Sequence, residues 1–339
     1  SEATPLNHDL SSKRDSPDAC VRAIHKFDNI LCDRSISPRG LVTRRKFLVM
    51  PPVSRGHASE PMPVLSILIP ASNEEGLIRQ CLHAVLQSDW EHGAPFETIV
   101  ISNGSQDRTA EMAFNMQAAF VAKNLQLSVL DRKEGGKLGA LNAGDKIARS
   151  SVRVYLDADV QISNGLIRDL FEALQTPKAR YASGTLQLVE PKSWATRAYA
   201  RIYEKVPFMT HGVPGAGVFA VNAAGRMRWA LFPDIISDDT YVRLNFRPNE
   251  RIGVPATYTW PLVEGWNNLV RVRRRQNAGV DEIKAHYPEL LDNDDKPPFP
   301  IQEKLRLAAK DPVGFAVYAG VSLAVRLSGT KPTGWSRGR

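Results

Sequence analysis

Two pairs of neighbouring carboxylates stand out among the residues of this chain that could do chemistry. Asp157 and Asp159 flank Ala158 directly after an apolar segment, and Asp238 and Asp239 are adjacent further along. Carboxylate oxygens suit a hard divalent cation such as Mg²⁺ or Mn²⁺, which also keeps bonds to the phosphates of a substrate. A carboxylate can also act as a general base toward an attacking hydroxyl. Because two aspartates after a strand often form an ordinary turn, neither pair identifies an activity alone.

The order of apolar segments predicts the elements that position these residues. Short, nearly continuous apolar runs are typical of strands buried on both faces. Such runs span 64–69, 96–101, 125–130 and 152–156. Between them, apolar side chains recur at helical spacing over 75–87, 107–121 and 139–149. This βαβαβαβ order predicts an α/β fold with a doubly wound, mostly parallel sheet and helices on both faces.

Polar loops follow these strands, at the edge where such a sheet binds its ligands. They comprise residues 71–75, 102–107, 131–137 and 157–159. Because the carboxyl ends of parallel strands meet at one edge, we expect these loops to surround one site. Lys137 ends the third loop after a pair of glycines, which allow the backbone to approach a phosphate closely. A solvated loop lysine is the alternative.

The composition bounds the class of protein. With 339 residues, 43% of them hydrophobic, the chain can bury a substantial core as one large domain or two joined halves. Its net charge of +8 favours anionic partners such as phosphates, nucleic acid or acidic lipid. Cys20, Cys32 and Cys81 fit no disulfide or zinc pattern, so a reducing compartment is expected. Residues 1–20 are polar and charged, so secretion is not predicted.

Three further segments make the pattern around Asp157 specific. They read IPASNEE at 69–75, SNGSQDRT at 102–109 and GKLGALN at 136–142, in this order before Asp157 and Asp159. The series resembles the nucleotide-binding half of family 2 glycosyltransferases, and the resemblance extends over roughly 64–279. It implies the GT-A fold, a nucleotide-sugar donor, expected to be a UDP-sugar, and inversion at the anomeric carbon.

The resemblance also assigns the donor site. It gives nucleotide contacts to Pro70, Ala71, Ser72, Glu74, Asn103, Lys137, Asp157 and Ala158. Glu74 would accept a hydrogen bond from a ribose or sugar hydroxyl. The alternative for this loop is a helix start, with Asn73 as the cap and Glu75 near the positive end of the helix dipole. Asn103 stands where the family commonly has an aspartate that accepts from a pyrimidine ring, so the base preference stays open.

The resemblance assigns metal binding and general-base catalysis to different acidic pairs. The resemblance makes Asp159 the chief ligand of Mn²⁺ or Mg²⁺, while Asp157 would contact both the metal and the nucleotide. Asp239 aligns with the family's general base, which takes the proton of the acceptor hydroxyl. Asp238 would help to position it, or would cap a helix at 240–244 and take no part in the chemistry.

Two later segments are candidates for contacts with the diphosphate or the acceptor. Gly215 and Ala216 lie in a small-residue loop that either admits an acceptor sugar or packs tightly on the sheet. Arg273 and Arg275 belong to a basic run that could hold a diphosphate bidentately or form a solvated helix face.

The same basic run distinguishes two kinds of enzyme within the family. Processive polysaccharide synthases often carry a Q-x-x-R-W signature, and Arg275 falls on its arginine. Val272 and Gln276 stand where its glutamine and tryptophan would be. We therefore expect a non-processive enzyme that adds a single sugar.

The expected organisation has three parts. They are an N-terminal arm at 1–60 with one strand or hairpin near 47–50, a GT-A catalytic domain at 61–280, and a helical extension at 281–339. The catalytic domain would comprise a nucleotide-binding half, 61–160, and an acceptor half, 161–280. Within the extension, the apolar segment 312–325 is too short to span a bilayer. It is either a core helix or a surface helix in a membrane interface, with Lys331, Arg337 and Arg339 near anionic lipid.

The sequence thus predicts metal-dependent transfer of one sugar to a glycan or lipid-linked acceptor, in the cytoplasm and in peripheral contact with a membrane. A nucleotidyltransferase would need a glycine-rich basic loop after the first strand, where this chain has ASNEE at 71–75. A nucleic-acid binder could use 271–275, but no nucleic-acid-binding motif accompanies that run, so no such partner is expected. A non-enzymatic sugar-nucleotide-binding protein would be expected to lose the acidic pair Asp238 and Asp239.

Overall fold

Eight strands form one sheet in the computed structural model, which describes residues 62–328. In chain order they are β1 (Ser66–Ala71), β2 (Glu97–Asn103), β3 (Gln126–Arg132), β4 (Arg153–Leu156), β5 (Gln161–Ile162), β6 (Tyr181–Leu188), β7 (Val218–Val221) and β8 (Arg251–Trp260). Their order across the sheet is β3-β2-β1-β4-β7-β6-β8-β5. Strands β1 to β4 are parallel, and β7 joins β4 in antiparallel pairing. The carboxyl ends of β1, β2 and β4 therefore meet at one edge.

Helices pack on the sheet and connect its strands. They are α1 (Ile78–Leu86), α2 (Thr109–Phe114), α3 (Gln117–Ala122), α4 (Lys137–Ile147), α5 (Leu166–Ala173), α6 (Trp194–Tyr203), α7 (Pro207–Thr210), α8 (Ala223–Arg226) and α9 (Asp238–Leu244). Strand β1 shows the two faces: Ile67 and Ile69 join one buried apolar cluster, and Leu68 joins another. Successive side chains point to opposite faces, so burial of both explains the continuous apolar run. The predicted doubly wound α/β sheet is confirmed.

The predicted helix over 107–121 is wrong in one respect, because the segment forms two helices, α2 and α3. At the break, the Met116 N–H donates to the Ala113 carbonyl three residues earlier, at 3.1 Å. That bond tightens the turn as in a 3₁₀-helix. Met116 and Phe120 are both buried, so the break leaves the apolar face of the segment on the core.

Three helices follow the sheet: α10 (Trp266–His286), α11 (Ile301–Lys310) and α12 (Pro312–Leu327). They confirm the predicted helical C-terminal region. Helix α12 buries Val317, Val321 and Val325, at a spacing of four residues, and exposes Leu323 and Leu327. It packs on α6 and α10 through its buried face. Among residues 62–328, no helix is long and apolar enough to cross a membrane.

Some predictions fall on residues outside 62–328. They concern the N-terminal arm with its strand near 47–50, the cysteines Cys20 and Cys32, and the basic residues Lys331, Arg337 and Arg339. Within the described part of the chain, Cys81 is a buried free thiol.

Candidate active site

The loops after β1 and β2 are clamped together by hydrogen bonds. The Asn73 Oδ1 accepts from the Gln106 N–H at 2.6 Å, and Glu75 Oε2 accepts from the Arg108 N–H at 3.1 Å. Helix α1 begins only at Ile78, without a side-chain cap. The interpretation of Asn73 and Glu75 as helix-start residues is therefore wrong, because both side chains bind the neighbouring loop instead.

Asn103 closes β2 directly beneath these loops. Its side chain is buried, and its Nδ2 donates to the Ala71 carbonyl at 3.1 Å. This bond uses one of the two amide N–H donors, and the amide oxygen is the group that can accept from a ligand. Asp107 Oδ1 accepts from the Thr109 N–H at 3.0 Å, at the start of α2.

Lys137 joins the two acidic pairs. Its Nζ lies 2.8 Å from Asp157 Oδ1 and 3.0 Å from Asp238 Oδ2. It opens α4 after Gly136, whose φ of 109° is unfavourable for residues with a side chain. Burial alone would lower the pKa of Lys137, but the charges of Asp157 and Asp238 raise it above its ordinary value. The lysine is therefore a cation held between carboxylates from opposite halves of the domain.

Asp238 and Asp239 occupy the first turn of α9. Asp238 is 5% exposed, and its burial, opposed by Lys137 and reinforced by Asp239 and Asp157, raises its pKa to about 6. Asp239 Oδ1 accepts from the Thr240 N–H at 2.6 Å. Since α9 begins at Asp238 and is preceded by Ser237, Asp238 is not the cap of a helix at 240–244, and that alternative is wrong. Carboxylates in a first turn are favoured by the helix dipole.

These residues line a cleft with a cavity volume of about 230 Å³. Its polar wall contains Pro70, Ser72, Glu74, Asn103, Lys137, Asp157, Ala158, Asp159, Ala216, Asp238, Asp239, Arg273 and Arg275. Of the residues singled out from the sequence, Ala71 and Gly215 lie outside this lining. Ala71 is buried in β1, and Gly215 has a φ of 65°, where a Cβ would lie 1.7 Å from Tyr181 Oη. Gly215 thus packs on the sheet while Ala216 reaches the cleft.

The opposite wall of the cleft is apolar and aromatic, and the sequence did not single it out. It contains Tyr199, Tyr203, Trp260, Leu262, Val263 and Leu269. The tyrosines come from α6, which faces α12 more than a hundred residues further along. Their spacing of four residues in 194–203 marks a helix face, but nothing local connects that face to the acidic pairs.

The carboxylates of the cleft fit a divalent cation that shares its ligands with a substrate. Asp157 and Asp159 both line the cleft, at the end of β4. Within the described residues, no group of three or more His, Cys, Asp or Glu side chains forms a ready metal site. Mg²⁺ is commonly held by one or two carboxylates together with substrate phosphates, and this donor set matches that mode of binding.

Comparisons with known proteins agree with this arrangement. A family model described as Glycosyl transferase family 2 matches residues 66–230. Glycosyltransferase AglE of Haloferax volcanii is 33% identical over 98 residues, which cover 29% of this chain and 31% of AglE. The 4,4'-diaponeurosporenoate glycosyltransferase of Staphylococcus aureus is 32% identical over 171 residues, which cover 50% of this chain and 42% of that protein. The chain therefore matches less than half the length of these relatives.

A solved structure has the same fold. It is the mannosyltransferase PcManGT from Pyrobaculum calidifontis, in complex with GDP-Man and Mn²⁺. The TM-score is 0.51, the sequence identity is 20%, and the alignment covers 79% of this chain and 76% of the mannosyltransferase. At this identity the likeness concerns the fold.

Proposed function

Since this chain belongs to glycosyl transferase family 2 and has the GT-A fold, we propose that it transfers one sugar from a nucleotide-sugar to a glycan or lipid-linked acceptor. The observation that carries the proposal is the position of Lys137 between Asp157 and Asp238, which puts both acidic pairs on one cleft. We propose a UDP-sugar as donor and inversion at the anomeric carbon, in the synthesis of a polysaccharide or glycoconjugate.

The donor would occupy the end of the cleft formed by β1, β2 and β4. Glu74 offers carboxylate oxygens to a hydroxyl there, and Asn103 offers its amide oxygen to the base. Lys137 brings a half-buried positive charge to the place where a diphosphate would lie against Asp157. We infer that Asp159 is the chief ligand of Mn²⁺ or Mg²⁺ and that Asp157 also binds the cation. The cation, when bound, would neutralise charge on the departing diphosphate.

Asp239 is the proposed general base. In a single displacement the acceptor oxygen bonds to C1 of the sugar, the bond from C1 to the diphosphate oxygen breaks, and the hydroxyl proton passes to the base. Asp239 lines the cleft and its Oδ1 is oriented by the Thr240 N–H. Asp238 is buried against Lys137, so it positions the pair rather than meeting the acceptor.

The proposed enzyme adds a single sugar. Val272 and Gln276 line the cleft on α10, at the places where the processive signature has glutamine and tryptophan. Without that tryptophan, the feature that favours repeated addition is missing. There are two alternatives: a sugar-nucleotide-binding protein with no activity, and a nucleotidyltransferase. The experiments below distinguish both from a glycosyltransferase.

We expect Asp239→Asn to lower sugar transfer or donor hydrolysis about 100-fold or more, because general-base catalysis contributes about 10²–10⁴-fold. Donor affinity should change little, since the amide keeps the shape of the side chain. The measurement uses UDP-, GDP- and dTDP-sugars with Mn²⁺. Asp234→Asn removes the same charge from a nearby exposed carboxylate and serves as the control. Equal rates in Asp239→Asn and wild type would refute the base assignment.

Asp159→Ala tests the metal assignment. We expect it to abolish the part of nucleotide affinity that depends on Mn²⁺, because a cation that bridges carboxylate and phosphate loses its protein ligand. Calorimetric titration with UDP and GDP, with and without Mn²⁺, measures this. Asp131→Ala, at the end of strand β3 and exposed, is the matched control. Unchanged titration curves for Asp159→Ala would reject its role as a ligand.

A further inference from the structure

A second cavity, of about 360 Å³, lies beside the cleft between α10, α11 and α12. Three basic side chains line it, and they are Arg273, Lys304 and Arg326. Three aromatic side chains accompany them, and they are Phe299, Phe315 and Tyr318. The family model ends at residue 230, so the whole of this cavity lies beyond the matched region.

The charged side chains that line the second cavity are all positive. None of the described residues that line it is acidic, so no carboxylate of the lining balances Arg273, Lys304 or Arg326. Lys304 Nζ lies instead 5.5 Å from the centroid of the Phe299 ring. Cations gathered around one cavity without counter-charges favour an anionic ligand.

Large apolar side chains are exposed on the two helices that contribute Lys304 and Arg326 to the second cavity. Leu323 lines it and is 56% exposed, and Leu327 lies one turn further along α12 at 76% exposure. Ile301 and Leu305 flank Lys304 on α11 and are 66% and 63% exposed. Exposed large side chains next to a basic site fit a ligand that carries both an anionic group and a hydrocarbon chain.

The second cavity adjoins the cleft, and the two share a wall residue. Arg273 lines both of them. The ring of Tyr318, in the second cavity, lies 5.4 Å from the ring of Tyr199, in the cleft. A ligand whose anionic group meets Arg273 therefore stands at the boundary of the space that Asp239 lines.

We propose that the second cavity binds the acceptor, and that the acceptor is an anionic lipid with a phosphate group. The phosphate meets Arg273, Lys304 and Arg326, and the hydrocarbon chain lies along Leu323 and Leu327. The hydroxylated headgroup extends past Arg273 toward Asp239. The assignment as acceptor rests on the proposed function, whereas the binding of an anionic lipid does not.

The test compares three probes that separate the charge from the chain. Dodecyl phosphate below its micelle concentration carries both, dodecanol carries the chain alone, and inorganic phosphate carries the charge alone. Calorimetric titration of the wild-type protein should show dodecyl phosphate binding at least tenfold tighter than either other probe. Equally tight binding of inorganic phosphate would overturn the assignment to a lipid, and equally tight binding of dodecanol would overturn the role of the cations.

Paired charge variants locate the site. Lys304→Gln with Arg326→Gln should weaken dodecyl phosphate binding at least tenfold. Lys310→Gln with Arg271→Gln removes the same charge from α11 and α10 outside the cavity and should leave binding unchanged. If both double variants weaken dodecyl phosphate binding equally, the ligand does not bind in the second cavity. Circular dichroism and the melting temperature check that each variant folds.

Donor binding separates this proposal from the proposed function. UDP or GDP titration with Mn²⁺, and donor hydrolysis, should be unchanged in the Lys304 and Arg326 double variant, since neither residue lines the cleft. If wild type binds dodecyl phosphate but neither binds nor hydrolyses any donor, the proposed function fails and the lipid site stands. If donors are hydrolysed and dodecyl phosphate does not bind, the lipid site fails alone.

Discussion

At the scale of single residues, Lys137 balances the charges of the cleft. The carboxylates of Asp157 and Asp238 come from strand β4 and helix α9, and like charges so close together repel. Lys137 contacts both, so the cleft has its acidic groups in place before any donor arrives. A diphosphate that attracts the ammonium would compete directly with these two contacts.

Asp238 gives the stability of the fold a pH dependence of definite sign. Burial raises its pKa to about 6, above the value of about 3.9 that an aspartate has in an unfolded chain. The fold therefore favours the protonated form, and the resulting stabilisation is complete below about pH 4 and is lost as the pH rises through about 6. Asp238→Asn cannot ionise. Its melting temperature relative to wild type should rise by roughly 2–6 °C between pH 4.5 and pH 7.5.

Scanning calorimetry at the two pH values measures this effect, and Asp234→Asn supplies the control. Asp234 is exposed on the segment before α9, so its substitution should shift the melting temperature equally at both pH values. If the melting temperature of Asp238→Asn relative to wild type stays constant or falls as the pH rises, burial does not raise the pKa of Asp238.

At the scale of elements, helix α4 fixes the position of Lys137 by lying unusually close to the sheet. A Cβ at Gly144 would lie 2.8 Å from both Ile101 Cδ1 and Leu68 Cδ2. Asn142 ties the same helix to the segment before α9, because it donates to the Phe232 carbonyl at 3.0 Å and accepts from the Phe232 N–H at 2.8 Å. These contacts hold the helix between the sheet and the segment before α9.

Two glycine substitutions within α4 should have opposite effects. Gly144→Ala should destabilise the protein by about 1–3 kcal/mol, because the added methyl group overpacks the contact with β1 and β2. Gly139→Ala should stabilise it by about 0.5–1 kcal/mol through helix propensity, since its Cβ would meet only Arg132 Nη1, at 3.4 Å. Urea unfolding measures both, and a loss of stability in Gly139→Ala equal to that in Gly144→Ala would contradict the packing argument.

The parallel half of the sheet could be predicted because its strands are buried on both faces, which leaves continuous apolar runs in the sequence. Because the carboxyl ends of parallel strands meet at one edge of the sheet, the sequence also predicted that Asn103 and Asp157 lie at the same edge. The break at Met116 could not be predicted, since an apolar residue at helical spacing gives no sign of a tightened turn. Tyr199 and Tyr203 also escaped prediction, because only the docking of α12 on α6 brings that face to the cleft.

At the scale of the whole molecule, an ion network around two buried arginines attaches the C-terminal helices to the sheet. Asp295 Oδ1 lies 3.0 Å from Arg243 Nη1 and 2.7 Å from Arg251 Nη1. The arginines belong to α9 and the start of β8, and their side chains are 3% and 1% exposed. The acidic run at 292–295 gives no indication in the sequence of which buried cations it meets.

Asp295→Asn should weaken this attachment. Removing one partner of a fully buried ion pair costs about 3–5 kcal/mol. The loss here should be smaller, because the Asp295 side chain is 24% exposed and Arg243 keeps Asp294 at 2.7 Å. Arg251 would keep backbone carbonyls, including that of Phe246 at 2.7 Å, but no carboxylate. We therefore expect a lower melting temperature and faster proteolysis between residues 287 and 312. Asp292→Asn, an exposed neighbour, should behave as wild type. If both variants resist protease equally, the network does not hold α11 and α12 to the sheet.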